Sequence, residues 1–134
     1  MTGPDLSDEE RRTAGMRTRR EVLGDAHVDR AVAGTTPFTA DFQDFITRVA
    51  WGDVWQRPGL TRRERSIATL SITVALRHWD EFALHVRAAV NNGLTDEDIA
   101  EVLQHAAVYA GVPAANHAYK VAGPILAELR ATTD

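Results

Sequence analysis

Apolar residues in this chain recur at intervals of three and four from one end to the other, and each run is bounded by residues that start or stop a helix. That periodicity, with no stretch of strand-like alternation, confines the chain to an all-α fold. Ser7 followed by Glu10 has the spacing of a capping box, and Gly24 is a natural stop, which predicts a helix near residues 8 to 23. After a short, partly helical stretch, Phe42, Phe45, Ile46 and Val49 repeat behind Thr39 as the core-facing side of a helix near 39 to 54. Gln56, Arg57, Pro58 and Gly59 interrupt the pattern. Thr61 and Glu64 then open a helix whose apolar positions Ile67, Leu70, Val74 and Ala75 run to about His78.

The next segment carries Phe82, Ala83, Val86, Ala89 and Val90 and ends at Asn92 and Gly93 in an expected left-handed terminus. Thr95 and Asp98 begin another helix, with Ile99, Val102, Leu103 and Ala106 inward and Gly111 at its end. Pro113 suits the first turn of a last helix bearing Ala118, Val121, Ile125 and Leu129, in which Pro124 should kink or end the run. A bundle of about six helices is expected, folded as a single domain over residues 1–134, a length that buries roughly two-thirds of the unfolded chain's surface.

Cysteine is absent, so disulfides, thiolate nucleophiles and Cys-ligated metal sites are excluded, and a reducing cytoplasm is the expected location. No long apolar run or apolar signal core is present, so neither export nor membrane insertion is expected. The net charge of −4 argues against nonspecific nucleic-acid binding. The five arginines between Arg11 and Arg20, interleaved with Glu9, Glu10 and Glu21, are expected to form a solvated helix face.

Two clusters could carry chemistry. His78, Glu81 and His85 fall at i, i+3 and i+7, one face of a helix, and Glu81 is spaced to orient the His85 imidazole and raise its pKa. His85 borders the apolar stripe of Phe82, Val86 and Ala89, so a partly buried acid/base is one reading and an ordinary surface Glu–His pair another. As a metal site the three lack an i,i+4 histidine pair and a further ligand. His27, His105 and His117 stand alone and read as structural or exposed. The second cluster is Trp51, Trp55 and Arg57, followed by Arg62, Arg63, Glu64 and Arg65. Its indoles can wall a pocket or anchor a core or subunit interface, and its guanidinium groups can hold a carboxylate. Arg65, beside apolar Ile67, needs an anionic partner such as Glu81 or a substrate.

Trp51 to Leu60, Thr61 to Ser66, Glu81 through His85 to Gly93, Tyr109 to Ala118 and Arg19 to Arg30 together resemble the gamma-carboxymuconolactone decarboxylase family over roughly residues 15 to 127. The resemblance implies an alkylhydroperoxidase D-like helical fold. Redox members of that wider group carry C-x-x-C-x-x-x-H; aligning its histidine on His85 puts His78 and Glu81 where the cysteines stand, which removes peroxidase chemistry. What remains implied is cofactor-free decarboxylation of 4-carboxymuconolactone, a small dicarboxylate lactone, to the β-ketoadipate enol-lactone in protocatechuate breakdown. His85 and Glu81 are then the expected catalytic pair, Arg65 and Arg57 the carboxylate holders, and Trp51 and Trp55 the groups excluding water. His78, Tyr109 and Asn116 are further donors to the lactone. No metal or cofactor is expected, nor a nucleic-acid or membrane partner. The family's habit implies a homo-oligomer, with a hexamer expected. A related lactone or keto-acid decarboxylase or isomerase, or a noncatalytic ligand-binding oligomer, are the competing readings.

Overall fold

The computed structural model describes residues 6–133, and among them every regular element is helical. Seven α-helices are found rather than about six: α1 (Asp8–Leu23), α2 (Asp25–Ala33), α3 (Ala40–Ile46), α4 (Arg62–Ala75), α5 (Trp79–Asn91), α6 (Asp96–Tyr109) and α7 (Val112–Thr133). A π-helical segment, Thr47–Val54, continues α3. The chain gathers into two compact units, Met1–Thr61 and Arg62–Asp134.

In the first unit α1 has the predicted limits, and the Ser7 hydroxyl accepts from the Glu10 amide at 3.1 Å. The Glu10 carboxylate accepts from that same hydroxyl at 2.9 Å, so only one arm of the expected box is made in the form predicted. α1 lies against the π segment at a crossing with no room for side chains. A Cβ on Gly15 would lie 2.1 Å from the Thr47 carbonyl oxygen, and one on Gly52 would lie 2.5 Å from that of Arg11. The expected inward stripe of the second helix is found only in part, for Ile46 and Val49 are half-buried but Phe42 and Phe45 are 61% and 51% exposed. Thr47, Trp51 and Gly52 on the π segment are buried instead, because the wider helix presents a different set of residues to α1.

The arginine-rich face of α1 is ion-paired rather than simply solvated. Arg11 meets Asp53 at 2.8 Å, Arg12 meets Asp44 at 2.5 Å, and Arg20 meets Asp29 at 2.9 Å and Asp25 at 3.1 Å. Arg19 departs furthest from the expectation, being only 5% exposed.

The second unit is four helices, α4 to α7, around Leu70, Val74, Phe82, Val86, Ile99, Leu103, Ala118 and Ala122. Burying side chains the size of Phe82 and Leu70 is worth about 1.5–3 kcal/mol each. Thr95 and Asp98 form the full capping box that opens α6. Gly93 (φ 95°) ends α5 in a Schellman motif, with its amide on the Val90 carbonyl and that of Leu94 on Ala89. Pro124 does not end α7, which continues to Thr133. An interior proline costs about 3 kcal/mol. Ala118 and Ala122 before it and Ile125 and Leu126 after it pack on the same core, and their burial offsets that cost.

Candidate active site

The expected His78–Glu81–His85 face is divided by a break in the helix. α4 stops at Ala75, and Arg77 takes a positive φ of 58°, with its amide on the Val74 carbonyl and the His78 amide on that of Thr73. This is a second Schellman motif, with an arginine at the position that favours glycine. His78 is therefore the exposed N-cap of α5, outside the helix.

Glu81 and His85 remain one turn apart on α5. His85 shares the buried stripe of Phe82, Val86 and Ala89 and is only 7% exposed. Glu81 is exposed in the first turn, and among the described residues no hydrogen bond or ion pair joins it to His85. The end of α5 is tied to α4 by Asn92, whose side-chain amide donates to the buried Ser66 hydroxyl at 2.8 Å. Arg65, the preceding residue, is half-buried on α4.

Tyr109 is 81% exposed at the end of α6. It lines a cavity of about 550 Å³ with Ser71, Ile72, Ala75, His105, Ala106 and Ala110, and its ring lies 5.1 Å from that of His105. His85 is not among the residues lining that cavity. His105 is exposed, as its reading from the sequence allows, and it lies four residues before Tyr109 on α6, a spacing that places the two rings on one face. Asn116 is exposed on α7, and His117 packs its ring on Trp79 at 4.3 Å. Asp98 is held below the usual carboxylate range, first by the Thr95 backbone amide and then by Arg63 at 2.9 Å.

The tryptophan cluster lies in the first unit. Trp51 is buried on the π segment, and Trp55 stacks on it with ring centroids 5.1 Å apart at 27°. The π pattern ends there, where the Trp55 amide donates to the Ala50 carbonyl at 2.9 Å. Arg57 is exposed in the turn that follows. In the same unit, hydrogen bonds from Arg12 and then Arg48 lower the Asp44 pKa to about 2. Burial alone lowers that of Arg19. Among the described residues no three His, Asp or Glu side chains are grouped so as to hold a metal ion.

The chain belongs to the Carboxymuconolactone decarboxylase family, which it matches over residues 40–123. Over 124 residues, covering 92% of each chain, it is 44% identical to a 4-carboxymuconolactone decarboxylase of Acinetobacter baylyi. It is 48% identical over 99 residues to a nitrosuccinic acid decarboxylase of Metarhizium robertsii, covering 74% of this chain and 69% of that one. A 4-carboxymuconolactone decarboxylase sequence of Pseudomonas putida is 50% identical over 48 residues, all of that sequence and 36% of this chain.

Proposed function

We propose that this chain is a cofactor-independent carboxy-lyase that converts 4-carboxymuconolactone to the β-ketoadipate enol-lactone and carbon dioxide in aromatic catabolism. The observation that carries the reading is the 44% identity to the Acinetobacter enzyme along 92% of both chains.

The chemistry explains why the chain's own side chains suffice. The departing carboxylate sits on the γ carbon of an unsaturated lactone. When the bond to it breaks, the electron pair moves through the ring double bond to the carbonyl oxygen and forms a dienolate. A proton delivered to the carbon α to that carbonyl completes the product. The protein must hold two carboxylates, stabilise the dienolate oxygen and supply the proton. His85 is the proposed donor, supported by its burial on α5, since a shielded imidazole can be tuned toward the working pH. Glu81, one turn earlier, is the proposed orienting carboxylate, drawn onto the imidazole when substrate is present. Arg65 and Arg57 are proposed to hold the carboxylates and Trp51 and Trp55 to exclude water, with His78, Tyr109 and Asn116 as donors to the lactone.

A homo-oligomer, with six copies as the expected number, fits two apolar surfaces: Phe38, Phe42 and Phe45 in the first unit, and Ile72, Leu76, Val108, Tyr109 and Val112 in the second. No helix among the described residues is long and apolar enough to cross a membrane, and a cytoplasmic location is proposed with the catabolic role.

The test is turnover of 4-carboxymuconolactone beside nitrosuccinate, the acid that the Metarhizium relative's name gives. Nitrosuccinate is also a dicarboxylate with an electron sink beside a carboxylate, the nitro group in place of the lactone. Preference for the lactone supports the reading. Preference for the nitro acid transfers it to that substrate class.

A further inference from the structure

Arg19 is the one deeply buried arginine of the first unit, and its charge is balanced by nothing the described residues provide. Four neighbouring arginines, Arg11, Arg12, Arg20 and Arg48, each have an aspartate within 2.9 Å. Arg19 has only neutral acceptors: the Thr47 hydroxyl at 3.4 Å and the Gln43 side-chain oxygen at 3.1 Å, with its Nε making no hydrogen bond. A guanidinium carries five donors and stays charged at any pH the fold tolerates, so three N–H groups and a full charge are left over. A buried charge is costly unless it is paired and hydrogen-bonded, so an anion arriving at Arg19 would relieve that cost.

Space for that partner adjoins the side chain. A cavity of about 200 Å³ is lined by Arg12, Met16, Arg19, Val32, Thr35, Gln43, Asp44 and Thr47. That is about the volume of six or seven waters, enough for an acid of a few carbons. Among the described residues Asp44 is the only acid on its wall, and two arginines already engage it. Its repulsion of an incoming anion is therefore largely cancelled.

We propose that this cavity is a carboxylate-binding site, in which Arg19 takes the charge, Thr35 lies within the pocket as a further hydroxyl, and Met16 and Val32 cover the carbon chain. The carboxylate is carried either by a free short-chain acid or by an acidic side chain of a second copy of this chain. The inference is independent of the proposed decarboxylation.

Succinate is the probe, titrated into the full chain at constant ionic strength against chloride. If the site takes free acids, Tm rises by about 4 °C at ten times the dissociation constant. The rise persists in Arg65→Gln, which separates this cavity from the proposed catalytic residues, and is lost in Arg19→Met. It is also lost in Val32→Trp, which plugs the cavity with the guanidinium intact and serves if Arg19→Met does not fold. If a second copy supplies the carboxylate, succinate leaves Tm unchanged, while both variants shift the assembly toward smaller species in light scattering by about tenfold in concentration. No succinate response in the natural protein, together with unchanged assembly in both variants, overturns the proposal.

Discussion

The crossing of α1 and the π segment gives a prediction whose size follows from distances. A methyl on Gly15 falls about 1.3 Å short of the 3.4 Å at which ordinary contact begins, and one on Gly52 about 0.9 Å short. The obstructing atoms are backbone in both cases, so neither can swing aside. Alanine gains about 1 kcal/mol over glycine in a helix interior. Overpacking of this severity costs about 3 kcal/mol or more, since one helix must back away from the other and loosen the packing around Trp51. Gly15→Ala should therefore lose about 2 kcal/mol net, and Gly52→Ala about 1–2 kcal/mol. The double variant should lose less than their sum, because a crossing already opened accommodates the second methyl. Thr13→Ala, on the exposed side of α1, reports propensity alone and should gain a few tenths of a kcal/mol. Urea denaturation at one fixed protein concentration, followed by tryptophan fluorescence and circular dichroism, measures all four. A change below about 0.5 kcal/mol for Gly15→Ala would show that the helices do not cross where the structure has them.

Other outcomes follow from single features. Arg77→Gly relieves a left-handed backbone that costs a side-chain-bearing residue about 1–2 kcal/mol, and should stabilise the protein by about 0.5–1 kcal/mol in the same assay. Asp44, with a folded pKa near 2 set first by the Arg12 hydrogen bond, gives stability that is complete above the unfolded carboxylate value near 3.9 and is lost as pH falls toward 2. Asp44→Asn should therefore flatten the acid side of the stability profile between about pH 4 and 2 and leave its slope near neutrality unchanged. His85→Ala should lower kcat by about 10² or more with a modest change in KM, whereas Arg65→Ala should mainly raise KM. Near-full kcat in His85→Ala would move the proton donor elsewhere. If Glu81 is drawn onto His85 in the substrate complex as proposed, Glu81→Gln should move the basic limb of the pH profile to lower pH, and an unmoved limb would remove Glu81 from that role.

Helix limits were legible wherever a local backbone rule sets them. Ser7, Gly24, Thr95 with Asp98, Gly93 and Pro113 each mark a boundary that the structure contains, because caps and positive-φ glycines act within a turn of themselves. The failures share a different cause. Helical spacing identified Phe42 and Phe45 as one side of a helix, but a period does not say which side meets the core, and widening to a π-helix turned Thr47 and Trp51 inward. His78 has helical spacing with Glu81 and His85, and only the left-handed Arg77, a residue that gives no warning, removes it from their helix. Of the candidate site, the burial of His85 was visible in the stripe of Phe82, Val86 and Ala89. The burial of Arg19 was not, since it depends on Gly15 and Gly52 bringing two segments together from far apart in the chain.

Decarboxylation is measured by supplying purified, exhaustively chelated protein with 4-carboxymuconolactone and following ultraviolet absorbance and released carbon dioxide together. One carbon dioxide and one enol-lactone are expected for each substrate consumed, with no cofactor added and the rate unchanged by zinc or manganese. An inert lactone, or turnover that appears only when metal is restored, would overturn the proposed cofactor-independent decarboxylation.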